Sequence, residues 1–208
     1  TLNNGTIKTS QMQRLTASVS LSPSFFDKHL NINFNAKGLY IRNSYAADVV
    51  GAAIAMDPTM PIMGGAKNPF GEELISDQVI NDFFGGYYQP TVKANYNDDT
   101  WQYANDEQST ANPVASLNQQ SSIANSGSFV GNLEADYQIH GFEDLRLHAN
   151  FGADYSYGLQ RYVNSAFGTA NHYYGWNGYD EKNKYNLQFN CYVQYYKDFT
   201  ENQHFDIM

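Results

Sequence analysis

The sequence is poor in cysteine and in long apolar runs, and each shortage excludes a class of protein. A single cysteine, Cys191, occurs among 208 residues, which excludes an internal disulfide framework and a cluster of thiolate metal ligands. No apolar run reaches the roughly 18 residues that a spanning helix needs. The longest such run, Tyr45 to Met56, is interrupted by Asp48. If this chain crosses a membrane, it must therefore do so as strands.

Charged residues are also scarce, at 16% of the chain against roughly 25% in a typical soluble domain. The net charge is -9, which excludes a nucleic-acid partner because phosphate binding requires a basic surface. Aromatic residues are abundant, with 17 tyrosines and 13 phenylalanines, yet the mean hydropathy is only -0.55. Few charges, many aromatics and many uncharged polar residues are typical of a barrel with a wet interior and an apolar belt.

Several segments alternate strictly between apolar and polar residues, the period of a strand with one dry and one wet face. The clearest is Leu145–Tyr157, which exceeds the usual strand length of roughly 5–6 residues and is long enough to cross a bilayer at a tilt. The others are Arg14–Leu21, Leu30–Lys37, Phe129–Gln138, Tyr185–Tyr196 and a segment that begins at His204. The pattern predicts an all-β fold, an antiparallel up-and-down transmembrane β-barrel segment of about six strands.

The connections between these strands alternate between short and long. Short turns are predicted near Pro23, Gly141 and Asp198, and long loops over residues 42–127 and 160–184. The first loop is expected to contain short helices, one over Ala46–Met56 and one that begins at Asn112. Outer-membrane barrels sort their connections in this way, with short periplasmic turns and long extracellular loops, whereas a soluble sandwich has no reason to do so.

Specific motifs resemble the SusC/RagA type of TonB-dependent transporters. In the first loop, Gly51–Pro61 contains a small-residue helix followed by Met-Asp-Pro-Thr-Met-Pro. Asn112–Ala115 reads Asn-Pro-Val-Ala, similar to a recurring helix start of that family. The strand pair Phe129–Tyr137 and Leu145–Tyr157, with Gly-Ala-Asp-Tyr at its centre, and the segment His204–Met208 are also similar to the family's strands. The resemblance covers nearly the whole chain.

The resemblance implies a role for a larger parent protein. Residues 1–208 are expected to be part of the barrel domain, since the family's plug domain and TonB box have no counterpart here. The parent would lie in the outer membrane of a Gram-negative cell and import oligosaccharides or peptides, energised by TonB through the plug. A SusD-like surface lipoprotein would cover the long loops. The lipid bilayer would surround the strands.

Two sets of residues are candidates for contact with substrate or partners. Aromatic side chains in the two loops are suited to pack against sugar faces or the lipoprotein: Trp101, Tyr103, His172, Tyr173, Tyr174, Trp176 and Tyr179. The wet strand faces would line the lumen and meet the plug: Arg14, Asn31, Asn33, Asn35, Glu134, Asp136, Arg146, His148, Asn150 and Asp154. No catalytic set, metal site or cofactor motif stands out, so we predict no enzyme.

Two alternatives share the same strand pattern. A soluble all-β module that binds glycans would explain the aromatic loops, and it requires the dry face around Leu147 and Phe151 to be buried inside a sandwich. A porin-like barrel or adhesin without TonB coupling would explain the sorted loops, although the helices in the first loop make it less attractive.

Overall fold

One large antiparallel sheet forms most of the chain. The computed structural model describes residues 1–67, 70–71, 73–94, 102–105, 108–168, 175–200 and 203–208. Within these ranges the main sheet contains eight strands. They are β1 (Leu2–Asn4), β2 (Gln11–Leu21), β3 (Ser24–Phe25), β4 (Leu30–Tyr45), β9 (Gln120–Gln138), β10 (Leu145–Asn164), β11 (Trp176–Thr200) and β12 (Gln203–Ile207).

Strands β5 to β8 lie in the segment that joins β4 to β9, which we call the insert (residues 46–119). It contains β5 (Ala66–Lys67), β6 (Glu73–Ile75), β7 (Thr91–Ala94) and β8 (Gln102–Asn105), which form two separate hairpins. It also contains helices α1 (Val50–Ala55), α2 (Asp77–Phe84) and α3 (Pro113–Gln119). Helices α1 and α3 occupy the positions that the sequence predicts, whereas α2 was not predicted.

The order of the main sheet is β1-β2-β4-β9-β10-β11-β12, with β3 paired to β4. Sequential strands are therefore neighbours, as in an up-and-down barrel. The pairing of β4, β9 and β10 continues without a register shift, and so does that of β10 with β11 from Leu145↔Tyr195 to Asn164↔Trp176. The predicted fold class is confirmed.

The strands extend beyond the segments that alternation indicates. Strand β9 begins at Gln120 and β10 continues to Asn164, so the connections are residues 46–119 and 165–175. The predicted loop limits, 42–127 and 160–184, are therefore wrong at both ends. The reason is physical: near the loops both faces of the sheet are largely polar, so the period of two disappears from the sequence although the hydrogen-bonded ladder continues.

The turns near Pro23 and Gly141 lie at the end of the sheet opposite the insert. Gly141 occupies the turn between β9 and β10 with a φ of 80°, and Pro23 lies between β2 and β3. Asp198 was predicted in a turn but lies within β11, opposite His204 of β12. From β2 onward, short and long connections lie at opposite ends of the sheet, whereas the short turn of residues 5–10 between β1 and β2 lies at the same end as the insert.

The insert has a hydrophobic core of its own. Ile80 and Phe84 of α2 are completely buried, against Ala66, Ile75 and Tyr88. Ser76 caps the start of α2, where its Oγ accepts a hydrogen bond from the Val79 amide at 3.4 Å. Gly85 ends α2 in the left-handed conformation, with a φ of 60°, as is common at helix C-termini.

Asn112 connects helix α3 to the remainder of the insert through hydrogen bonds. It is 1% exposed, and its Oδ1 accepts hydrogen bonds from the amides of Val114 and Ala115 at 3.0 and 3.2 Å. Its Nδ2 donates to the carbonyl oxygens of Ile62 and Tyr88 at 2.8 and 2.9 Å. The Asn-Pro-Val-Ala motif is therefore a helix cap that also joins separate parts of the insert.

The Met-Asp-Pro-Thr motif forms a turn after α1. Asp57 Oδ1 accepts hydrogen bonds from the Thr59 amide at 2.9 Å and from the Thr59 hydroxyl at 2.7 Å. The hydrogen bond from the Thr59 side chain, followed by that from its amide, lowers the pKa of the exposed Asp57 carboxyl below its ordinary value.

The helices within the described ranges are all too short or too polar to cross a membrane.

Candidate functional site: the two faces of the sheet

Register divides the side chains of the sheet into an apolar face and a polar face, because directly opposed residues in antiparallel strands share a face. Across β4, β9, β10 and β11, one row of the apolar face contains Phe34, Leu133, Phe151 and Phe189. In the next row three small residues, Ala36, Gly131 and Ala153, are followed by Leu187. The alternation that the sequence shows in separate strands is thus assembled into one continuous surface.

The apolar face is open. Phe189 is 67% exposed and Phe151 is 44% exposed. A soluble sandwich requires these side chains to be buried under a second sheet, and within the described ranges they are not. This observation disfavours the soluble glycan-binding module.

Tyrosines lie near both ends of the apolar face. Tyr155 opposes Tyr185 at the end nearest the long loops, and Leu145 opposes Tyr195 at the other end. Beyond Tyr157 the same face becomes mainly polar, with Arg42 and Asn125 opposite each other. At about 3.3 Å per residue and a tilt of about 40°, the stretch from Leu145 to Tyr157 spans about 30 Å, close to the hydrocarbon thickness of a bilayer.

The polar face carries every residue that the sequence assigns to the lumen. Asn31, Asp136 and His148 lie in one row across β4, β9 and β10. Asn33, Glu134 and Asn150 form the next row, and the other members follow the same alternation: Arg14, Asn35, Arg146 and Asp154. The structure thus shows that these residues share one face of the sheet. That this face lines a lumen remains a prediction.

His148 lies on this face near the short-turn end of β10. Its Nε2 is 3.4 Å from Glu134 Oε1 and its Nδ1 is 3.6 Å from Asp136 Oδ2. Its ring stacks on Tyr192 of β11, with centroids 4.5 Å apart. Because the side chain is only 13% exposed, these contacts link β9, β10 and β11 through one imidazole. Among the described residues, no group of three or more His, Cys, Asp or Glu side chains is arranged to hold a metal ion.

A second group of side chains lies on the polar face where the sheet meets the long loops. We call Tyr45, Tyr162, Trp176 and Asp180 the mouth cluster. The rings of Tyr162 and Trp176 are 5.8 Å apart, and the Tyr162 hydroxyl donates a hydrogen bond to Asp180 Oδ2 at 3.1 Å. Tyr45 lies in the same row as Tyr162, with Ser122 of β9 between them.

Of these four residues, only Trp176 is a candidate from the sequence, and it is expected in a loop rather than in a strand. Trp176 and Tyr179 were both predicted in the second loop, but they lie in β11 and, three residues apart, point to opposite faces. Tyr45, Tyr162 and Asp180 were missed. Because the alternation of polar and apolar residues fades toward the loops, the sequence alone gives no signal that would bring them together.

The other predicted aromatic residues give no further information. Tyr103 lies in β8, and its side chain is outside the described part of the chain. Trp101, His172, Tyr173 and Tyr174 also lie outside the described residues.

Comparison with known proteins identifies one relative that is similar over nearly the whole chain. The TonB-dependent receptor SusC of Bacteroides thetaiotaomicron is 42% identical over 209 aligned positions, which include 99% of this chain. The predicted resemblance to SusC-type TonB-dependent receptors is confirmed. The chain spans only 20% of the length of SusC. No family model matches.

The similarity to SusC also confirms the predicted location in the outer membrane. It agrees with the described sheet, whose apolar face is continuous and exposed. The alignment extends through the insert as well as the strands, because the aligned region covers almost all of the chain.

Proposed function

We propose that this chain forms part of the barrel wall of a SusC-type transporter, which imports oligosaccharides or peptides across the outer membrane with energy supplied through TonB. The observation that carries the proposal is the two-faced sheet, together with 42% identity to SusC. The apolar face would contact lipid and the polar face would line the lumen and contact a plug domain.

The two ends of the sheet suggest an orientation. The insert and residues 165–175 lie at one end, and the short turns near Pro23 and Gly141 lie at the other. By the usual asymmetry of such barrels, the insert would be outside the cell and the turns in the periplasm. A SusD-like surface lipoprotein, the partner that the Sus type implies, would then contact the insert.

The polar face suits a wall that contacts both a plug and a passing solute. It combines amides, carboxylates and an imidazole, exemplified by Asn33, Glu134 and His148. Such groups are satisfied by hydrogen bonds to a second polar surface or to water. A role coupled to TonB would also account for the similarity to a TonB-dependent receptor.

Transport by the full-length protein can be tested in the source cell. Deletion of the gene is expected to abolish accumulation of a radiolabelled hexasaccharide or hexapeptide that wild-type cells take up, and the full-length gene should restore it. Accumulation should also stop when an uncoupler collapses the proton gradient. Uptake that continues in uncoupled cells would indicate the porin-like alternative and contradict the proposal.

The partner can be tested on the same protein. An affinity-tagged full-length transporter, extracted in mild detergent, is expected to retain a surface lipoprotein in a stoichiometric complex. Deletion of the lipoprotein gene should reduce uptake without changing the amount of transporter in the outer membrane. A transporter that purifies alone and imports normally without any such lipoprotein would contradict this part of the proposal.

A further inference from the structure

A groove crosses the apolar face of the sheet at the end nearest the insert. It runs from β2 to β10, has a volume of about 390 Å³ and is lined almost entirely by apolar atoms. The floor consists of small residues and the walls of large ones, which are Ala17, Gly38 and Gly127, and Leu15, Tyr40 and Phe129. We call this depression the Gly38 groove. It interrupts a face that is otherwise covered by side chains.

Two glycines create the depth of the Gly38 groove. An added Cβ at Gly38 would have no heavy atom within 4 Å, so the space above this residue is open. Gly38 lies opposite Ala17 of β2, whose side chain is also small. At Gly127 an added Cβ would approach Tyr157 Cδ1 to 3.3 Å, so this glycine lets the Tyr157 ring lie close to β9. The groove is therefore about one side chain deep.

The end of the groove nearest the insert is polar. Tyr40 forms its rim, and the Tyr40 hydroxyl donates a hydrogen bond to Asn125 Oδ1 at 3.2 Å. Asn125 belongs to the next row of the same face, in which it lies beside Arg42, and Arg42 lies beside Gln13. The apolar groove is thus continuous with a polar row at the boundary that the tyrosines mark.

Arg42 is the charged group of that polar row. It lies two residues beyond Tyr40 on β4, a rise of about 7 Å. It is exposed and forms no ion pair with any carboxylate in the described part of the chain. Its neighbours in the row, Gln13 and Asn125, are uncharged. The guanidinium is therefore accessible to an anion at the end of the groove.

The other charged residues of this face lie further along the sheet. Glu181 of β11 shares the row of Arg42 but is three strands away, about 14 Å between backbones. Its carboxylate accepts a hydrogen bond from Asn183. Arg161 of β10 lies one row closer to the loops. The part of the face next to the groove, on β2, β4 and β9, therefore has a positive charge.

These two features suit a ligand that has both an apolar chain and an anionic headgroup. The guanidinium of arginine presents paired donors whose geometry matches a phosphate. A free anion would leave the groove unused, and a neutral lipid would leave Arg42 unpaired at the edge of the hydrocarbon. In the proposed orientation the groove lies in the outer leaflet, since it is at the insert end of the apolar face.

We infer that the Gly38 groove and Arg42 form a binding site for a phosphorylated lipid of the outer leaflet, with one acyl chain over Gly38 and the phosphate on the Arg42 guanidinium. This inference rests on the proposed position of the sheet in the outer membrane. It assigns a site to the outside of the wall, on the opposite face from the proposed transport path.

The test uses the full-length transporter in mild detergent, with lipid binding titrated by native mass spectrometry. The probes are a hexaacyl lipid A with one phosphate, the same lipid after removal of the phosphate, and inorganic phosphate. Wild-type protein is expected to bind the phosphorylated lipid about tenfold more tightly than the dephosphorylated lipid. Inorganic phosphate at the same concentration should not displace it.

Two substitutions separate the headgroup from the chain. Arg42→Gln should weaken binding of the phosphorylated lipid about tenfold and leave that of the dephosphorylated lipid unchanged, so the preference for phosphate disappears. Gly38→Leu fills the open space of the groove without a clash. It should weaken binding of both lipids about tenfold, because the chain loses contact with the floor.

Each substitution has a matched control on the polar face. Arg14→Gln makes the same change of charge on β2, where Arg14 lies opposite Ile41 and thus close to the level of Arg42. Gly158→Leu makes the same change of size on β10, where an added Cβ also meets nothing within 4 Å. Both should leave lipid affinity unchanged. Barrel folding is checked for every variant by gel mobility before and after heating.

The outcomes distinguish this inference from the proposed function. Equal affinity of wild-type protein for the two lipids, or a phosphate preference that survives Arg42→Gln, would overturn the headgroup assignment. Lipid binding that Gly38→Leu does not change would overturn the chain assignment, and a transporter dimer that this variant dissociates would give the groove to a second copy instead. Loss of all uptake dependence on the gene would overturn the proposed function but leave a lipid site demonstrated in this way intact.

Discussion

The sheet and the insert stabilise their apolar side chains in opposite ways. In the sheet, large apolar residues such as Leu187 and Phe189 are 65% and 67% exposed. In the insert, Ile80 and Phe84 are completely buried, and the buried Asn112 has hydrogen bonds at both ends of its amide. The insert packs like a small water-soluble domain, whereas the sheet presents its apolar residues outward.

This difference teaches that the two regions are adapted to different solvents. An exposed apolar face is unfavourable in water and favourable against hydrocarbon, so in the proposed barrel the surrounding lipid would stabilise the sheet. The insert instead buries apolar side chains in a core of its own. Truncating or charging an apolar side chain should therefore affect stability differently in the two regions.

The largest expected effect is in the core of the insert. Phe84→Ala removes a completely buried ring, and such truncations cost about 3–5 kcal/mol. In the full-length transporter we expect faster hydrogen exchange across α2 and greater protease sensitivity in the insert. The same change at Phe189, Phe189→Ala, is the control and should cost far less because that ring is 67% exposed and would contact lipid in the proposed barrel. Equal destabilisation by both would contradict the comparison.

A charge on the apolar face should have the next largest effect. Phe189 lies in the middle row between the two tyrosine rows, and an arginine at the bilayer midplane costs about 2–4 kcal/mol. We expect Phe189→Arg to lower the amount of folded barrel in the outer membrane and the midpoint of guanidinium unfolding. Gln188→Arg, on the polar face of the same strand, should be tolerated. Should both variants fold like wild type, this face does not contact lipid.

The smallest of the three effects concerns the cap of α3. Asn112→Ala removes the acceptor for the Val114 and Ala115 amides and both donors from Nδ2, which should cost about 1–2 kcal/mol. Asn112→Ser retains a capping oxygen and should recover part of the loss. Hydrogen exchange at the start of α3 measures both. A serine variant no better than alanine would show that the amide donors, not the cap, dominate.

Much of the sheet could be predicted from alternation alone. The strand at Leu145–Tyr157 and its partner strands can be located because an apolar face repeats every second residue. The start of helix α3 can be recognised from the capping chemistry of Asn112. The extensions of β9 and β10 toward the loops could not be predicted, since Ser121, Ser122 and Gln160 give no hydrophobic period. Helix α2 was also missed, although Ser76 and Gly85 bound it with ordinary caps.

For the candidate site, local sequence was much less informative. Trp176 is a candidate because it is an aromatic residue in a predicted loop, but the other aromatic residues of the mouth cluster, Tyr45 and Tyr162, are distant from it in the chain. Tyr179 was grouped with Trp176 because it is close in sequence, and the pleat of β11 separates them.

The sequence by itself determined that this chain forms long two-faced strands with connections sorted by length, because side-chain polarity alternates with the pleat of a strand and needs no tertiary contact to be read. Only the tertiary structure decided which strands are neighbours, which row each residue joins and which side chains meet at the mouth. These depend on register, and register is fixed by the hydrogen-bonded pairing of segments that are distant in the chain.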